Sequence, residues 1–212
     1  MSTIDLRTEP GTAQREVVAQ EPPVGDPSMI GVPTFVIGSI ALALTLTGFV
    51  PAAAQAAALP IIIATTGIGQ LVAAIWAARL GQSAVACVFA VFCGFWLSYS
   101  LLLLGLSNAW YGIVADDVKR TVTAFLLTWV IAVALLTVVT LRLPMAFTVL
   151  FALIDLALVL VMVGNIRAST GWTHAGGYVV FGFAALGAYL FAGAASAATG
   201  GRPVPLGDPV LT

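Results

Sequence analysis

Six long apolar runs organise this chain, each closed by a short break rich in polar residues, glycine or proline. They fall at Ile30–Val50, Ala57–Ala78, Ala84–Gly105, Thr121–Leu141, Met145–Ile166 and Thr173–Ala198. A helix of roughly 20 residues, rising about 1.5 Å per residue, crosses a ~30 Å hydrocarbon core. None of the runs shows the apolar–polar alternation of a membrane β-strand. In lipid the backbone must satisfy its own hydrogen bonds, which favours helices. The pattern therefore predicts an all-α membrane protein with six transmembrane helices.

The breaks between the runs divide the chain further. Residues 1–24 carry Arg7, Glu9, Arg15, Glu16, Glu21 and the pair Pro22–Pro23, with no apolar core of a signal peptide, so they read as a disordered cytoplasmic tail. Residues 25–199 form the membrane domain, and 200–212, with three prolines and Gly200–Gly201, read as a short irregular tail. Six crossings return both tails to one side. Arg7, Arg15, Arg79, Arg142 and Arg202 fall on that side, and Lys119, Arg120 and Arg167 on the other. This bias places both termini in the cytoplasm of a multi-pass cell-membrane protein. Trp110, Tyr111 and Trp172 fit an aromatic belt at the opposite interface.

Composition narrows the function classes. Of the 212 residues, 60% are hydrophobic and 8% are charged, against about 25% charged in soluble domains. The mean hydropathy is +1.08. A net charge of −1 offers no basic footprint for nucleic acid. Cys87 and Cys93 lie six residues apart on one predicted helix, face different directions and read as packing residues. His174 is the single histidine and Lys119 the single lysine. With no Gly-x-Ser-x-Gly or His-Glu-x-x-His run, the chain reads as a non-enzyme with no cofactor and no metal.

Few polar side chains interrupt the spans. Asp155 is the only acid or base deep inside one, where a carboxyl costs about 2.5–3.5 kcal/mol on insertion scales. Such a residue faces the bundle interior or a wet cavity, either as a hydrogen-bonded structural acid or as a proton-exchanging one. Gln70 is expected to bond another helix, with substrate contact as the second reading. Asn165 suits a cap at the end of the fifth span, and His174 an interfacial position or a pH-sensing vestibule. Small residues recur every fourth position as Thr65/Gly69/Ala73/Ala77, Ala86/Ala90/Gly94/Ser98 and Ala184/Ala188/Ala192/Ser196, which predicts close helix contacts.

Several short stretches, in order, carry a resemblance. Gly25–Asp26–Pro27–Ser28–Met29–Ile30–Gly31 is similar to a degraded N-P-A-P-L-G-L signature. Gly67–Ile68–Gly69–Gln70 resembles a G-I-A-Q segment, Phe95–Trp96–Leu97 an F-W-L, and Gly164–Asn165–Ile166 a G-N-I. His174–Ala175–Gly176 and Ala188–Tyr189–Leu190 continue the likeness into the sixth span. Together they resemble a divergent member of the succinate–acetate permease family, the YaaH-type acetate uptake transporters.

The resemblance implies a six-helix subunit around its own central pathway, assembled as a ring-shaped homohexamer. It implies transport of acetate, succinate or other small carboxylates, through a channel or a proton-coupled symporter. Three side chains, Phe35, Phe92 and Ile154, stand where the family narrows its pathway, with Phe92 in place of a tyrosine and Ile154 in place of a leucine. Asp26, Pro27 and Gly31 mark the entrance motif, and Gln70 and Asp155 are assigned to the pathway with the three narrowing residues. Asp26 replaces an asparagine, Met29 a proline, and Asp155 a small hydroxyl residue. These departures keep two alternatives open: a pore for another small solute such as ammonium or a neutral acid, and a membrane protein that transports nothing.

Overall fold

The computed structural model describes residues 25–211, and the N-terminal tail expected at 1–24 lies outside them. Among the described residues, six helices are long and apolar enough to cross a membrane: Ser28–Leu46, Ala53–Arg79, Ser83–Ser107, Ala115–Thr140, Met145–Arg167 and Thr170–Ala198. We refer to them as the first to sixth spans. The chain is a multi-pass membrane protein. Its two cysteines are unpaired, Cys87 exposed and Cys93 buried.

Four boundaries depart from the hydropathy pattern by three residues or more: the first span ends at Leu46 and not at Val50, the second starts at Ala53 and not at Ala57, and the fourth and sixth start early. The fourth span starts at Ala115 and includes Asp116, Asp117, Lys119 and Arg120, which the pattern assigned to a loop. Charges exclude a segment from hydrocarbon but not from a helix that continues past it. Two acids in the first turn also suit the positive end of the helix dipole. The sixth span likewise starts at Thr170, immediately after Ala168 turns the chain with a φ of 48°.

The second span is not a uniform helix. It opens as a 3-10 turn over Ala52–Ala58, passes through a short α segment containing Pro60, and continues as a π-helical stretch over Ile62–Gly67. Only Ile68–Arg79 is a regular α-helix. Pro60 has no N–H to donate, so it suits a first helical turn. The π stretch delivers Thr66 to the first span, where its hydroxyl donates to the Thr34 carbonyl at 2.9 Å. Gly38 makes this approach possible, because any Cβ there would strike the Thr66 side chain.

Around the bundle the helices follow the order third, second, first, sixth, fifth, fourth, and the fourth then meets the third to close the ring. That closing seam is built differently from the rest. Phe95 and Tyr99 of the third span meet Phe125 and Trp129 of the fourth, with the Phe95 and Trp129 rings 5.2 Å apart and edge to face. Large rings hold these two backbones apart. On the second span, by contrast, Ala73 and Ala77 are fully buried and Gly69 sits against Thr34 of the first. This small-residue stripe therefore packs within the subunit. Ala90 and Gly94 of the third span and Ala188 and Ala192 of the sixth instead face outward.

The C-terminal segment is irregular but not loose. Ala146 N–H donates to the Leu206 carbonyl at 2.9 Å, and Leu211 N–H to the Leu141 carbonyl at 2.8 Å. Tyr189 Oη donates to the Pro205 carbonyl at 2.7 Å, and Leu206 packs against the core. The segment forms a strap under the fourth, fifth and sixth spans. We call the side that holds this strap and Ser28 the near side.

Candidate functional site

Two cavities lie on the axis of the ring. The larger, about 200 Å³, is on the near side, between the starts of the first, third and fifth spans and the end of the fourth. Its walls include Val32, Gln70, Val85, Thr140, Leu143 and Phe151. The smaller, about 60 Å³, lies on the far side and is walled by Leu42, Leu46, Trp96, Tyr99, Val180 and Phe183 among others. Both exceed the ~10–15 Å³ that a single water requires. Among the described residues no Asp, Glu, Lys, Arg or His side chain lines either one.

Three side chains line both cavities: Phe35, Phe92 and Ile154. They come from the first, third and fifth spans and are buried, at 7%, 5% and 5% exposure. The Phe35 and Phe92 rings meet edge to face at 5.5 Å. Phe35 is braced by Phe183 of the sixth span at 5.6 Å, and Phe92 by Phe151 of the fifth at 5.6 Å. The three therefore form an apolar septum between the two chambers. A dry constriction of this kind is costly for a bare ion to cross and much less so for a neutral solute.

Gln70 is fully buried and lines the larger cavity. Its Nε2 donates to the Gly31 carbonyl at 2.6 Å, and its Oε1 has no protein partner among the described residues. Gly31 belongs to the expected entrance motif, and the space its Cβ would need is filled by the Phe89 ring. Pro27 is buried beside it, while Asp26 is exposed and accepts from the Ser28 N–H at 2.8 Å. Asp26 thus satisfies one free N–H in the first turn of the first span.

Asp155 requires a correction. It was assigned to the pathway, yet it lines neither cavity. Thr137 of the fourth span donates to its Oδ2 at 2.6 Å, and the carboxyl lies half-buried between the fourth and fifth spans. One residue along a helix rotates a side chain by about 100°, so with Ile154 on the axis its neighbour must point to the side. Asn165 also serves a helix contact. Its Nδ2 donates to the Lys119 carbonyl at 3.0 Å and to Thr123 Oγ1 at 2.9 Å, joining the fifth span to the fourth. His174 is half-buried against Gly48, where an added Cβ would come 3.2 Å from its Nε2. Neither Asn165 nor His174 lines either axial cavity. Among the described residues no three His, Cys, Asp or Glu side chains gather as a metal site.

The profile of the GPR1/FUN34/yaaH family matches residues 9–200. The chain belongs to the GPR1/FUN34/yaaH family. Two Saccharomyces cerevisiae relatives align over 117 residues each: accumulation of dyads protein 2 at 31% identity and ammonia transport outward protein 2 at 29%. Each alignment spans 52% of this chain and 40% of the relative, so the chain matches less than half the length of these proteins. The structure of the bacterial acetate channel SatP superposes with a TM-score of 0.77 at 21% identity, over 87% of this chain and all of that one. The GPR1/FUN34/yaaH fold is therefore shared across this distance.

Sequence reading missed the aromatic braces of this GPR1/FUN34/yaaH family member. Trp96 follows Phe92 by four residues and Phe151 precedes Ile154 by three, and such spacings share one helix face. Projection from the septum residues along their own helices would have found both. Phe183 offers no such handle, since it is one of 11 phenylalanines and no septum residue lies on its helix.

Proposed function

We propose that the protein is a membrane channel or transporter for acetate and other small carboxylic acids, which cross between Phe35, Phe92 and Ile154. One observation carries the reading: two axial chambers on opposite sides of the bundle share these three side chains as their common wall. They stand at the positions where the family resemblance places the narrowest point. Membership of the GPR1/FUN34/yaaH family and a fold shared with an acetate channel support the substrate class. An apolar septum without a charged side chain favours the protonated, uncharged acid over its anion. Each subunit carries its own pathway within a homohexamer whose termini face the cytoplasm. The outward apolar faces of the second and fourth spans, including Ile68, Ile75, Ile131 and Leu135, then lie against lipid or neighbouring subunits.

Ammonia is the second reading. A relative named for outward ammonia transport favours it, and ammonia too would cross the septum uncharged. Flux of labelled acetate, succinate, lactate and methylammonium into proteoliposomes, less the leak of protein-free vesicles, separates the two. Saturable acetate flux supports the carboxylic-acid reading. Methylammonium flux without acetate flux replaces it with the second.

A further inference from the structure

Two buried polar atoms without protein partners among the described residues belong to side chains that line the two chambers, one on each side of the septum. On the near side, Gln70 is fully buried on the wall of the larger cavity. Its amide orientation is set by the Gly31 carbonyl, which only the NH₂ end can approach as a donor. The free end is therefore the carbonyl oxygen, an acceptor. On the far side, Trp96 is 1% exposed and lines the smaller cavity. Its indole Nε1, a donor only, has no partner among the described residues. The Trp96 ring lies 6.2 Å from that of Phe35, so this residue stands directly beside the septum.

Buried polar groups are nearly always paired, and exceptions point to a missing partner. Of the three exceptions among the described residues, Asp155 Oδ1 lies off the axis, and the two on cavity-lining side chains differ in sign. A neutral carboxylic acid carries both complements: its O–H can donate to Gln70 Oε1, and its C=O can accept from Trp96 Nε1–H. A carboxylate anion has no proton for Gln70 and would face an acceptor dipole. An ammonium ion has no acceptor for Trp96; neutral ammonia has N–H groups and a lone pair, so the flux comparison, and not the pair, separates it from the acid. We propose that Gln70 and Trp96 form a split recognition pair for an uncharged carboxylic acid, with the acceptor before the septum and the donor after it. This rests on the carboxylic-acid reading above and adds the protonation state of the solute and the two atoms that recognise it.

The test is acetate flux into proteoliposomes of wild type, Gln70→Met and Trp96→Phe, at pH values below and above the pKa of acetic acid, with protein-free vesicles subtracted. Methylammonium is run alongside. In wild type, KM expressed as protonated acid stays the same at both pH values. A wild-type KM that instead stays constant in total acetate identifies the anion as ligand and overturns the proposal. Each variant raises KM about 3- to 10-fold, the loss of one hydrogen bond. Trp96→Phe preserves an aromatic ring and carries the test alone should Gln70→Met, which also loses its bond to Gly31, fail to assemble. Wild-type acetate flux with unchanged KM in the assembled variants overturns the pair and leaves the carboxylic-acid reading standing, a resident water being then the partner of each atom. Absence of wild-type acetate flux, with methylammonium flux intact, removes that reading and the pair together.

Discussion

Thr137 donates a 2.6 Å hydrogen bond to Asp155 across the interface of the fourth and fifth spans, away from both axial chambers. The one acid deep in the membrane is thus a helix-to-helix tie. Removing the donor strands the carboxyl in a half-buried site, whereas Asp155→Asn keeps an oxygen for Thr137 to address. Thr137→Val should therefore destabilise the protein by about 1–3 kcal/mol, and Asp155→Asn by less. Thermal unfolding in detergent checks the order. The pH profile of transport should be the same in Asp155→Asn as in wild type, and a shifted profile would return Asp155 to the pathway.

Phe92 is the septum residue whose chemistry departs most from the family pattern. Phe92→Tyr adds a hydroxyl to a ring that already packs against Phe35 and Phe151. Its hydrogen bond to a passing carboxyl group is worth about 0.5–1.5 kcal/mol. Acetate flux at subsaturating concentration should rise severalfold. Unchanged flux in a well-assembled variant would place Phe92 off the path.

Gly38 tests the seam between the first and second spans. A larger residue must displace Thr66, whose hydroxyl is bonded to the Thr34 carbonyl. Gly38→Val should abolish recovery of monodisperse protein, while Gly182→Val, at a position with open space around it, should not. Size-exclusion chromatography of the two variants gives the comparison.

The C-terminal strap depends on Tyr189 among its tethers. Tyr189→Phe removes one hydrogen bond and should loosen residues 203–211 by about 0.5–1.5 kcal/mol. Limited proteolysis should then clip this segment several times faster. Equal rates would show that the backbone bonds of Ala146 and Leu211 hold the strap unaided.

The spans were legible in the sequence because hydrocarbon imposes one dominant rule, and every run found by hydropathy overlaps one of the six membrane-length helices. Their ends were less so. Ala115–Arg120 is helical outside the apolar run, and no hydropathy rule reports helix beyond the bilayer. The strap was illegible for a related reason. Pro203–Val204–Pro205–Leu206 looks like any tail, and only the tertiary structure shows Val204 facing Gly193 and Leu206 packed against the core. The three septum residues came from family resemblance and not from periodicity, since each is one apolar residue among many. Asp155 misled because its cost in lipid is readable from sequence, whereas its partner, Thr137, lies 18 positions away.

Solute that crosses between Phe35, Phe92 and Ile154 must be stopped by a plug at Ile154. Ile154→Trp fills the septum from the fifth span, and acetate flux is measured in vesicles against wild type and Asp155→Asn at equal protein content. Ile154→Trp should abolish flux with assembly intact, while its neighbour Asp155→Asn conducts. Wild-type flux through assembled Ile154→Trp would contradict this route.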